Sequence, residues 1–154
     1  MVININHKIK SLGINLPEAP APAANYVPFK RSGNMIFVSG QIAKNGETLI
    51  KGKLGLNMTV EAGYEAARHC GLALIAQLEK ACNGDLNLIT GIIRLGGFVN
   101  ATSDFEQHPQ VINGASDLMA EVFGDMGHHS RAAVGCSSLP LGVAVEVDGI
   151  FQIG

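Results

Sequence analysis

Arg131–Ile150, RAAVGCSSLPLGVAVEVDGI, is the stretch whose reading decides the fold. It reads as two strands around a Leu139-Pro140-Leu141-Gly142 turn. The second strand alternates strictly, with Val143, Val145 and Val147 facing one way and Ala144, Glu146 and Asp148 the other. Arg131 opens the first strand and Glu146 sits in the middle of the second. The expectation is a cation and a carboxylate on neighbouring strands, among small and apolar residues. A guanidinium offers a planar fork of donors that matches a substrate carboxylate bidentately. A carboxylate nearby can hold a water or move a proton. On spacing alone the same pair also fits a solvated face or a surface salt bridge of little energetic weight.

Working back from this stretch, Pro109 is a favoured first helical residue. It opens a helix to about Phe123, where Val111, Ile112, Ala115, Leu118, Met119 and Val122 form one apolar face and Gly124 ends it. Phe105–His108 is loop. A long strand precedes it from Leu88 to Asn100, apolar on both faces: Ile89, Ile93, Leu95 and Val99 on one, Ile92 and Phe98 on the other. Before that a helix runs from Val60 to Cys82, capped by Thr59 with Glu61 in its first turn, and Asn83-Gly84 stops it. Its buried stripe is Val60, Tyr64, Ala67, Gly71, Leu74, Leu78 and Ala81. His69 on this helix reads as a surface or packing residue, since no second ligand follows at i+4. Residues 44–58 are polar, glycine-rich loop, and Gly52-Lys53-Leu54-Gly55 lacks the strand-to-helix context of a phosphate loop. Residues 25–31 and 34–40 form a hairpin around Ser32-Gly33-Asn34. Gly40 marks either a close backbone approach to a ligand or a simple strand end. Residues 2–13 read as a short helix ended by Gly13, and Leu16–Pro22 as an extended Pro-rich connector. Residues 1–20 are thus an N-terminal arm, and residues 21–154 the domain it lies on.

The order is β-β-α-β-α-β-β, an α+β domain with one mixed, mainly antiparallel sheet and two long helices on one face. Met35 or Ile36, with Ile92 and Phe98, would then remain on the other face. An apolar patch of that kind calls for a partner, here a homo-oligomer whose sheets face each other with sites at the subunit seams.

Composition narrows the classes. The 154 residues suit one domain, and 47% hydrophobic against 16% charged residues gives a core to bury. A formal charge of −2 without a basic run argues against a nucleic-acid surface. The N-terminus MVININHKIK lacks the apolar core of a signal peptide, and no apolar run approaches a membrane span. Cys70, Cys82 and Cys136 form no CxxC pair. The first two would lie about 18 Å apart on one helix, too far to bond. Free thiols fit a cytoplasmic location.

Four stretches together carry a family resemblance. They are Ala21-Pro22-Ala23 followed by Tyr26; Gly33-Asn34-Met35-Ile36-Phe37-Val38-Ser39-Gly40-Gln41; Phe98-Val99-Asn100; and Arg131-Ala132-Ala133-Val134 with Leu139-Pro140 and Val145-Glu146-Val147. Over residues 20–153 the chain resembles the Rid family of reactive intermediate/imine deaminases, also called the YjgF family. The resemblance implies a chorismate-mutase-like (YjgF-type) fold and a homotrimer with clefts between subunits. It implies hydrolysis of 2-imino acids such as 2-aminoacrylate to 2-keto acids and ammonia, with no metal or organic cofactor. Arg131 matches the arginine that grips the substrate carboxylate, and Glu146 the glutamate that orients water or assists proton transfer. Tyr26 and Ser39 match residues near the imine, Asn113 a helix residue that reaches the cleft, and Gly40 a glycine that brings backbone to the ligand. The chemistry suits such a site, because an imine is electrophilic and needs mainly positioning and one proton acceptor.

The chain departs from the family pattern. His129, preceded by His128, stands where Pro or Ala is common, and Ala133 where deaminases often carry Cys, the cysteine falling instead at Cys136. It therefore resembles a longer, diverged branch. Two other readings share the same residues: a non-catalytic binder of small carboxylates, in which Arg131 serves equally, and a ribonuclease or translation inhibitor using His128 and His129. The acidic balance and the missing basic, aromatic-lined surface oppose the latter. Cys136 reads as a structural thiol, and adjacent histidines in extended chain point apart, against metal binding.

Overall fold

The computed structural model describes residues 2–21 and 25–154. Helix α1 (Ile5–Ser11) precedes the hairpin β1 (Phe29–Ser32) and β2 (Met35–Ile42). A two-residue hairpin, β3 (Lys44–Asn45) and β4 (Thr48–Leu49), interrupts the segment expected as loop. Then follow α2 (Val60–Ala81), β5 (Ile89–Asn100), α3 (His108–Phe123), β6 (Ser130–Cys136) and β7 (Val145–Ile153). The main sheet has the order β1-β2-β7-β5-β6. Every pairing in it is antiparallel except β5 with β6. The expected α+β arrangement, a mixed sheet with two long helices on one face, is what forms.

The helices end where local chemistry stops them. The Thr59 hydroxyl accepts the Ala62 N–H at 3.1 Å, and after α2 the backbone turns left-handed at Asn83 and Gly84. Pro109 sits in the first turn of α3, and Gly124 at φ 61° closes it. Val111, Ile112, Ala115, Leu118, Met119 and Val122 are all fully buried, as their spacing requires. The two helices cross closely at Gly114, where a methyl group would overlap the Tyr64 carbonyl oxygen. Beside the crossing, Tyr64 donates its hydroxyl to Asp117 at 2.7 Å.

Helix α1 shares this core through Ile5 and Ile9. It docks on the turn after α2: the Ile5 N–H donates to Asn87 Oδ1 at 2.7 Å, and Asn6 Oδ1 accepts from the Leu86 N–H at 3.0 Å. The connector continues to residue 21; Pro22 and Ala23, which carry part of the resemblance and of the Pro-rich reading, lie outside the described residues.

Two expectations are corrected. First, β6 and β7 are not neighbours, because β5 lies between them. Leu139–Gly142 is not a hairpin turn but leads into a short 3-10 turn over Pro140–Gly142, with Leu141 left-handed at φ 58°. After α3 the chain returns as a parallel edge strand beside β5, the usual result of a β-α-β crossover. Strand β7 instead enters between β2 and β5, where its alternating valines have a paired neighbour on each side. Second, β5 carries register shifts between Ile89 and Gly91 and between Ile92 and Arg94. Each added residue reverses the face of those beyond it. Ile92 therefore joins Leu95 and Val99 in the core, while Ile93 is exposed. Ile36 is buried as well, so Met35 is the residue of that pair left on the other side.

The sheet face away from the helices carries Phe37, 44% exposed, and the ion pair of Arg94 with Asp148 at 3.8 Å. Val134, on the edge strand β6, is 47% exposed. The helix crossing gives a direct test. Gly114→Ala is expected to destabilise the fold by about 3 kcal/mol, the upper end of overpacking costs, read as a lower urea midpoint with an unchanged slope.

Candidate active site

Strand β1 pairs with β2 only as far as Val38, and the β2–β7 register slips between Val38 and Gln41. That slip is a bulge of Ser39 and Gly40. The Ser39 N–H donates to the Pro28 carbonyl and its hydroxyl to the Val27 carbonyl, both at 2.8 Å. The serine thereby ties down the segment that carries Tyr26. Gln41 braces the bulge from inside, its Nε2 donating to the Ser39 carbonyl at 2.8 Å. Gly40 lies against Glu146, so closely that a methyl group would overlap Glu146 Oε1. A side chain at this position would push the Glu146 carboxyl aside, so glycine matters here for the space it leaves and not for its backbone angle.

These residues line a groove of about 800 Å³ along the free part of the β2 edge. Tyr26, Ser39, Gly40, Gln41 and Glu146 contribute from the sheet side, His69, Ala73 and Gln77 from α2, and Pro17–Ala21 from the connector. Partial burial raises the Glu146 carboxyl above the usual carboxylate range, and the Asp148 charge adds to it. A second hollow of about 590 Å³ adjoins it, lined by Tyr26, Phe37, Arg94 and Asp148 among others. Beneath Glu146 the fully buried Cys70 donates its thiol to the Val145 carbonyl at 3.5 Å. Burial pushes this thiol far up, so it has no nucleophilic role.

Arg131 belongs to a different cluster. Its Nη1 donates to Asn113 Oδ1 at 2.8 Å and to Ser116 Oγ at 3.1 Å, and its Nη2 to the Pro109 carbonyl at 3.4 Å. All three acceptors are neutral. Among the described residues no carboxylate lies within ion-pair distance of Arg131. A half-buried guanidinium held by neutral oxygens, with Nε–H and one Nη2–H left over, is prepared for an anion.

Ser116 and His129 were not foreseen in this cluster. His129 Nδ1 lies 2.6 Å from the Gly127 carbonyl, which can only accept, so that nitrogen carries the proton. Nε2, at 2.9 Å, then accepts from the Ser116 hydroxyl, whose oxygen faces Arg131. Burial lowers the His129 pKa and outweighs the Gly127 hydrogen bond, which raises it; the neighbouring Arg131 and His128 lower it further, so the net effect favours the neutral ring. With both ring nitrogens engaged, His129 is not free to bind a metal. The sequence signal was the i, i+3 spacing of Asn113 and Ser116 on the edge of an apolar helix face.

The expected pair does not meet within one chain. Arg131 is paired with buried Leu95 and so lies on the helix side, whereas Glu146 is paired with Phe98 on the opposite side. Two strand spacings separate them, about 10 Å, and three residue steps along β5 add about 10 Å lengthwise. Tyr26, Ser39, Gly40 and Glu146 gather in the groove at the β2 edge, and Arg131 and Asn113 gather at the β6 edge.

Comparison with known proteins places the chain in context. A family profile described as "YjgF/chorismate_mutase-like, putative endoribonuclease" matches residues 6–149. Protein TCP17 of Trypanosoma cruzi is 44% identical over 147 residues, covering 94% of this chain and 91% of that protein. A crystal structure of an Agrobacterium tumefaciens protein of unknown function is 43% identical with a TM-score of 0.89, covering 98% of this chain and 94% of that one. A Shewanella oneidensis structure, described as "a putative endoribonuclease", is 36% identical with a TM-score of 0.92, covering 98% of this chain and 100% of that one.

The raised Glu146 pKa has a sign. Holding a carboxyl in an environment that favours its neutral form lowers stability once it ionises, so its favourable contribution is complete below about pH 4.5 and is lost as pH rises through the folded value. Glu146→Gln is therefore expected to raise Tm at pH 7, with the gain shrinking towards pH 4. Thermal melts across that range check it.

Proposed function

The chain belongs to the YjgF/chorismate-mutase-like family, and from that premise we propose that it hydrolyses reactive 2-imino and 2-enamino acids, such as 2-aminoacrylate, to 2-keto acids and ammonia. The observation that carries this reading is the Arg131 cradle: a fixed guanidinium, neutral acceptors on one side and unused donors on the other. Such a group binds a carboxylate bidentately and aligns the imine carbon behind it.

Glu146 supplies the proton transfers. Its elevated pKa lets it exchange a proton nearer neutrality than an ordinary carboxylate. Protonation of an enamine at C3 gives the iminium ion, the protonated form of the imine. Water then adds to C2, its oxygen forming the new bond while the C=N π pair passes to nitrogen, and Glu146 takes the water's proton. That proton is returned to nitrogen, ammonia departs, and the C=O forms as the hydroxyl proton is lost. Ser39 and Tyr26 border the imine, and Gly40 allows its approach along the backbone.

The distance between the two clusters supports a cyclic, head-to-tail assembly, in keeping with a homotrimer. Strand β6 is one edge of the sheet and the free part of β2 lies near the other. Joining unlike edges brings Arg131 of one protomer to the groove of the next. The exposed Phe37 and Val134 would be covered in the same step.

RNA cleavage, the activity named in the family description, has less support. Eleven Lys and Arg stand against 13 Asp and Glu, and a phosphodiester backbone is held by clustered cations.

Imine generated in situ by an amino-acid oxidase, followed with and without protein, tests the proposal. Arg131→Ala is expected to lower kcat/KM by about 10²-fold or more, since hydrogen bonds to charged groups contribute roughly 1.5–3 kcal/mol each. Glu146→Gln should retain carboxylate binding and slow turnover by about 10²–10⁴-fold. Unaccelerated imine loss with intact carboxylate binding would identify a binder instead. RNA cleavage abolished by His129→Ala would favour the nuclease.

A further inference from the structure

Gln77 is fully buried on α2, yet neither its Nε2 nor its Oε1 has a partner among the described residues. Buried amides are nearly always hydrogen-bonded, because removing both groups from water without replacement is costly. Leucine or methionine would fill this position more favourably if packing were its only task. Gln77 also lines the groove that holds Glu146.

His69, Ala73 and Gln77 recur at every fourth residue and so form one stripe of α2 along that groove. Cys70 fixes the level of Glu146, being bonded to the carbonyl of Val145 and within reach of the Glu146 charge. Gln77 lies seven residues further on, about 10 Å along the helix axis. The groove passes round the free β2 edge, with Gln77 on its helix side and Glu146 on its far side. The groove volume of about 800 Å³ far exceeds what a three-carbon acid fills.

We propose that Gln77 is the specificity determinant of this groove and selects substrates whose side chain ends in a carboxamide. A carboxamide offers one donor and one acceptor side by side, and matches both unused groups of Gln77 in a two-point contact. A carboxylate would leave the Gln77 oxygen unpartnered, and an aliphatic end would leave both atoms so. The inference rests on the imino-acid reading for the identity of the reacting group, but its recognition chemistry stands apart from turnover.

The test uses the full chain in its own assembly and two stable acids of like shape, glutaramate and 5-methylhexanoate, with binding measured by titration calorimetry. Wild type should prefer glutaramate at least tenfold. Gln77→Leu and Gln77→Met should remove or reverse that preference while keeping or raising Tm. Equal wild-type affinities, a preference that survives both substitutions, or a fall in Tm in both would overturn the proposal, the last because the amide would then be serving the fold. Hydrolysis of the alanine-derived imine, measured alongside, reports on the catalytic reading alone. Its absence with glutaramate preference intact would remove the deaminase and leave the carboxamide subsite standing. Arg131→Ala should weaken both acids equally.

Discussion

The bulge at Ser39-Gly40 is the constraint on which the site depends. Strand β7 is hydrogen-bonded on both sides, so its register is fixed and Glu146 has one place to go. The extra residue in β2 opens a gap opposite, and a glycine without a side chain lets the carboxyl lie against backbone. Partial burial there gives Glu146 its altered acidity. The same bulge directs Gln41 inward and leaves Ser39 to fasten the segment carrying Tyr26. One inserted residue thus fixes four of the side chains that define the groove.

The two charged groups are prepared in opposite ways. Arg131 is surrounded by neutral oxygens, which orient it without neutralising it. Glu146 is partly withdrawn from water and shares its surroundings with another carboxylate, which weakens its charge. Direct pairing within one chain would have satisfied both and left nothing for a ligand. The intervening strand β5 keeps them apart.

What was legible in the sequence was whatever a periodicity records. Helices α2 and α3, with Thr59, Pro109 and Gly124 at their ends, and the alternation of Val145 and Val147 were read directly. Strand partnership is not written into a strand: RAAVGC and VAVEVDGI are close in sequence, yet the crossover through α3 puts β5 between them. Nor does alternation survive a bulge, so Ile92 and Ile93 exchanged faces although each is a good strand residue. Arg131 and Glu146 could be named from the resemblance, but not their separation, which follows from strand order. Ser116 and His129 bear on Arg131 only through a hydrogen-bond chain that crosses from α3 to the start of β6.

The Cys70 thiol, sealed between α2 and β7 and bonded to a carbonyl of β7, gives the molecule an internal reporter. No alkylating reagent can reach it while the helix rests on the sheet. Its rate of labelling therefore counts the openings of that interface, and because Val145 precedes Glu146 it does so at the floor of the groove. Loosening near Glu146 can in this way be timed separately from fraying at α1 or at the edge strand, without introducing any label into the chain.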